Sequence, residues 1–165
     1  MTLIILNIIL CIILAALVFQ DFKQRAIHVF LIVGVFVVGG FILWFNQNPL
    51  IIIFKTSLFV LVVLSLLWVY LSIKNKKLIN PFNKNIGLGD VLFFFAVTPL
   101  FSLNNYIIFF ITGMFVTIIF SVIFKKFIIS SLIPLAGILS GYLIILKITN
   151  LFIPQDIFYN AYINI

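Results

Sequence analysis

Polar positions in this chain are confined to short breaks between long apolar runs. A bilayer core about 30 Å thick takes roughly 20 apolar residues per helix. By that measure the sequence divides into six runs, Thr2–Phe19, Ile27–Phe45, Leu50–Ile73, Ile86–Leu103, Tyr106–Phe124 and Phe127–Ile153. Most are apolar all round, so no amphipathic stripe separates a lipid face from a bundle face. The period-two alternation of a membrane barrel is missing. The predicted fold is therefore all-α, a polytopic transmembrane bundle of six helices. Residues 1–153 read as one domain, and residues 154–165 as a short non-cytoplasmic tail whose Phe158, Tyr159 and Tyr162 suit the membrane interface.

Composition agrees. Apolar residues are 65% of the 165, Phe alone occurs 21 times and charged residues are 8%. A soluble domain carries about 25% charged residues, so this chain cannot wet a globular surface. The net charge of +7 raises the thought of nucleic acid, but the cations form no patch on a soluble face. Cys11 is the sole cysteine, and one His with three acids leaves too few ligands for a metal site. Neither a metal nor another cofactor is expected. The surrounding partner is membrane lipid.

The breaks alternate in charge. Lys23 and Arg25 lie between the first two runs, Lys74, Lys76, Lys77 and Lys84 between the third and fourth, and Lys125 and Lys126 between the last two. The even-numbered breaks, at NQNP and Asn104–Asn105, are uncharged. By the positive-inside rule the basic breaks are cytoplasmic and both termini lie on the far side. Lys55 and Lys147 stand apart, each near enough to a span end to snorkel outward. The first run has no basic start and no small-residue cleavage pattern, so it reads as a retained helix.

The acids are Asp21, Asp90 and Asp156, and the first two flank cytoplasmic breaks. Val91–Phe101 alone is too short to cross, so the fourth helix must recruit Ile86–Asp90, which sets Asp90 about a turn inside the boundary. An ionisable residue at that depth is a site candidate by default. Two structural readings stand beside this one. Asp90 can cap its helix, with Gly87 and Gly89 shaping the turn, and Asp21 can pair with Arg25 four residues on. Together the two carboxylates suit aspartyl proteolysis. One takes a proton from water while the other, protonated, donates to the scissile carbonyl, because like charges that close share a proton. Gly87 and Gly89 would let a substrate backbone approach Asp90 without Cβ obstruction.

Gly87-Leu88-Gly89-Asp90 matches the GxGD motif, and Asp21-x-x-x-Arg25-x-Ile27 the D-x-x-x-R-x-I segment, of the type IV prepilin peptidases. The chain resembles that family, among the GxGD intramembrane aspartyl proteases, over essentially its whole length. Ile133–Gly137 is similar to the family's late Ile-Pro segment. The resemblance implies a multi-pass protein of the bacterial inner membrane that cuts leaders from prepilin-like substrates at the cytoplasmic face, in type IV pilus assembly or protein secretion. It assigns Asp21 and Asp90 as the catalytic pair, with Gly87, Gly89 and Arg25 supporting them or binding substrate. His28 replaces the family's usual Pro, and Leu92 its frequent Lys. Without a cysteine-rich N-terminal segment, the short, peptidase-only form is expected.

His28 reads as a polar anchor at the interface. Pro134 reads as a kink. Gly137 and Gly141 are spaced for a helix–helix contact, within the bundle or between copies in a homo-oligomer. The competing class is a non-catalytic membrane protein, a small transporter or an assembly scaffold; a diverged homologue with another substrate is a second alternative. Transporters place polar groups near the midplane, whereas the middles of these runs are nearly bare. Topology is directly testable. Cysteines introduced at Asn75 or Lys126 should react only with reagents that reach the cytoplasm, and one at Asn48 from outside. The reverse labelling would put both aspartates on the wrong face.

Overall fold

The computed structural model describes residues 1–24, 27–76, 87–124, 133–153 and 156–159. They form six α-helices: α1 (Thr2–Gln24), α2 (Val29–Phe45), α3 (Ile51–Asn75), α4 (Leu88–Ala96), α5 (Leu103–Ile123) and α6 (Leu135–Phe152), with a 3-10 turn at Thr98–Leu100. The protein is an all-helical, multi-pass membrane protein. Helices α1, α3, α5 and α6 are each long and apolar enough to cross a bilayer, while α2 and α4 are shorter.

The main departure from the sequence reading is α4. It does recruit the residues before Val91, beginning at Leu88, yet it ends at Ala96. Nine helical residues rise about 14 Å, roughly half of a bilayer core. Pro99 is the cause: it has no N–H to continue the ladder and disfavours helical geometry in the residue before it. A helix broken in lipid exposes backbone groups that water cannot satisfy. Here neighbouring segments satisfy them. Tyr159 Oη donates to the Pro99 carbonyl (3.0 Å), Tyr106 Oη to Phe94 (2.8 Å) and Thr56 Oγ1 to Thr98 (3.3 Å), while the Ser102 N–H donates to the Phe158 carbonyl (2.8 Å). The tail segment Asp156–Tyr159 thus packs into the bundle, with the Phe158 ring fully buried 5.0 Å from that of Phe101.

Helices α1 and α6 run antiparallel in close contact. A methyl built on Gly137 would meet Asp21 and Phe22, one on Gly141 would face Val18, and Lys147 reaches Asn7. The small-residue spacing of α6 therefore serves a contact within the bundle. Two further expectations need correction. Pro134 is the N-cap of α6, not a kink within a helix. Lys147 does not snorkel out to solvent; it turns between the helices, its Nζ donating to Asn7 Oδ1 (3.2 Å) and lying 3.8 Å from the Phe158 ring centre. A second polar group therefore exists at the end of the bundle away from Asp21 and Asp90.

Because Phe158 fills the space beyond the broken end of α4, Phe158→Ala should destabilise the bundle by about 3 kcal/mol. That is the low end for a buried Phe, since lipid is as apolar as the cavity left behind. Thermal unfolding in detergent measures it.

Candidate active site

Asp21 lies three residues before the end of α1, its side chain buried at 6% exposure. Asp90 occupies the first turn of α4 and is half-buried. Both carboxylates reach the start of α6. The Gly137 N–H donates to Asp21 Oδ2 at 2.6 Å, and the preceding amide, Ala136 N–H, donates to Asp90 Oδ1 at 3.0 Å. Residues 116 and 46 positions away in the chain thus bind successive amides of one helical turn.

The physical reason is the helix end. The first N–H groups of a helix have no carbonyl partner within it, and the aligned peptide dipoles leave about half a positive charge there. Pro134, as N-cap, gives up a donor the helix would not have used. The next residues, Ala136 and Gly137, are small enough for two carboxylates to come alongside. At Gly137 the fit admits no side chain: a Cβ would stand 2.9 Å from Asp21 Oδ2, 3.0 Å from Asp21 Cβ and 3.2 Å from Phe22 Cδ2.

The cap reading of Asp90 holds in altered form. Gly87 is the N-cap of α4 and Asp90 its third residue, with the Gly87 N–H as a second backbone donor to the carboxylate. This is the reach back from the third residue seen in a capping box. A Cβ at Gly87 would lie 2.9 Å from Asp90 Oδ2, so a side chain there would press on the carboxylate. Gly89 is the second residue of α4. Its Cβ position faces Ile27 Cδ1 at 3.4 Å, an ordinary contact distance between α4 and the segment after α1. Arg25 falls outside the described residues. His28 is exposed at the start of α2, its N–H on Gln20 Oε1 at 3.2 Å, and Leu92 is partly buried against the core. Among the described residues, no group of three or more His, Cys, Asp or Glu is placed to hold a metal.

From sequence, Gly137 was singled out only for a helix–helix contact, and Ala136 only as part of the Ile133–Gly137 segment. Their contribution to the site is backbone, and its trace in the sequence is a proline followed two residues on by Ala and Gly at the start of an apolar run.

The model of the type IV leader peptidase family matches residues 8–122, which include Asp21 and Asp90 and end before α6. The chain belongs to the type IV leader peptidase family. No curated protein and no solved structure matches it.

Two glycines one turn apart on α6 provide a test. Gly137→Ala should destabilise the protein by about 1–3 kcal/mol through overpacking against Asp21 and Phe22. At Gly141 the nearest atom is Val18 Cγ2 at 3.9 Å, so Gly141→Ala should be neutral or stabilising, by up to about 1 kcal/mol of helix propensity. Thermal unfolding of both variants in one detergent decides it.

Proposed function

We propose that Asp21 and Asp90 are the catalytic pair of an aspartic-type endopeptidase that removes the leader from prepilin-like precursors at the cytoplasmic face of a bacterial inner membrane. The observation that carries this reading is their convergence on the successive Ala136 and Gly137 amides. Membership of the type IV leader peptidase family supports it. A pair of purely structural carboxylates has no need to meet: an acid at a helix end is satisfied by its own cap or by a basic neighbour one turn away.

In this mechanism the pair holds one proton between them. The ionised carboxylate takes a proton from water as the water oxygen adds to the scissile carbonyl carbon. The protonated one gives its proton to the carbonyl oxygen, and a neutral tetrahedral diol forms. On collapse the carboxyl now protonated delivers its proton to the leaving nitrogen, the other recovers one from a diol hydroxyl, and the C–N bond breaks. The α6 amides hold the carboxylates in place throughout, so geometry is set before substrate arrives. Gly87 keeps the Asp90 carboxylate unobstructed, and Arg25 is proposed to support Asp21 or to contact substrate.

The test is leader processing in cells, scored beside membrane abundance. Asp21→Asn and Asp90→Asn should each abolish cleavage while the protein still accumulates, because Asn keeps the shape but cannot exchange the proton. The double variant should be no worse, as residues acting as one unit are not additive. Wild-type processing by either single variant ends the assignment. Should Asp21 serve only to pair with Arg25, then Arg25→Ala would match Asp21→Asn, and chiefly by lowering abundance.

A further inference from the structure

At the end of the bundle opposite the two aspartates, a cavity of about 590 Å³ lies between α1 and α6. That is within the range of small-molecule sites, about 300–1,000 Å³. Its α1 wall runs from Leu3 to Ala15, about 18 Å of helix and close to the depth of one leaflet. Ile4, Ile8 and Ile12 of α1 and Ile148 of α6 line it and are exposed on the outside of the bundle. In a membrane-spanning protein the cavity therefore opens sideways, into acyl chains.

One wall carries a charge. Lys147 has three N–H donors and gives one to Asn7 Oδ1, with the Phe158 ring on another side. Asp156 also lines the cavity, its Oδ1 accepting from the Phe158 N–H at 3.0 Å. A cation inside a transmembrane bundle is costly unless it serves a site. This one sits in a cavity of leaflet depth with donor capacity to spare.

We propose that the cavity binds an anionic membrane phospholipid, one acyl chain lying along α1 and the phosphodiester meeting Lys147. Apolar walls of that length fit a chain, and the ammonium supplies the complementary charge for the headgroup. The assignment depends on the chain's place in the membrane and not on its peptidase reading.

Cys11 lines the same cavity and is the only thiol in the chain, so it reports occupancy without added labels. The full chain is reconstituted into vesicles of phosphatidylcholine alone, or of equal parts phosphatidylcholine and phosphatidylglycerol, and reacted with N-ethylmaleimide. With phosphatidylglycerol present Cys11 should react about tenfold more slowly, the factor for lipid about tenfold above its dissociation constant. Lys147→Arg should keep that protection and Lys147→Met should lose it. Equal rates in the two vesicles for the unaltered chain would overturn the proposal, whatever the variants do. So would full protection in phosphatidylcholine alone, which would mean an occupant chosen without regard to charge, and so would protection that survives in Lys147→Met.

Discussion

A carboxylate withdrawn from water must find hydrogen-bond donors, and inside a bundle of apolar helices donors are scarce. Backbone amides are nearly all committed to their own helices, except at the N-terminal turn, where they are left over. The first turn of α6 is such a place, and Asp21 and Asp90 both use it. Their meeting follows from this shortage as much as from any attraction between them, since like charges repel. Successive amides hold the two groups side by side against that repulsion. The same constraint explains the closeness of α1 and α6, because the amides serve Asp21 only where Gly137 lets α1 come alongside.

Asp90 reaches the same turn from α4, and here the shortness of α4 matters. A helix of full length would fix its two ends at the two membrane boundaries. One that stops at Ala96 is positioned instead by its neighbours. At its far end it is held by Tyr159, Thr56 and Tyr106 through backbone carbonyls. At its near end Gly89 rests against Ile27. Its first turn can therefore sit level with the start of α6. The tail segment Asp156–Tyr159 is thus tied to the placement of Asp90, although it lies at the opposite end of the helix.

Much of this was legible in the sequence because the composition is so extreme. Three acids among 165 residues make each one conspicuous, and the alternation of basic breaks was enough to group Asp21 with Asp90. The helices follow from apolar runs of the right length. Less visible were features that depend on backbone or on distant partners. The run Val91–Phe101 read as too short to span. Extending it backward to Asp90 agrees with the start of α4, but Pro99 then ends the helix where a full span was expected. The amides of Ala136 and Gly137 have no side-chain signature. Lys147 was read by the default for a lysine near a span end, because its partner Asn7 lies 140 residues away and no local pattern joins them.

The α1–α6 pair connects these observations. It carries a polar link at each end, Asp21 to Gly137 and Lys147 to Asn7. Along α1 the links are fourteen residues apart, along α6 ten, or about 21 Å against 15 Å of helical rise. Two short side chains would not span that mismatch, so the second link needs a long, flexible arm, and lysine provides one with a stem that packs on apolar surface. The first link has no such slack, because a backbone amide and a short carboxylate meet in only one register. Helix α6 is therefore located by the aspartate end and merely steadied by the lysine end. Slack at Lys147 leaves room for a cavity there, whereas the closeness at Gly137 leaves none. A closely held carboxylate pair at one end and a roomier cavity around Lys147 at the other are two outcomes of one helix contact.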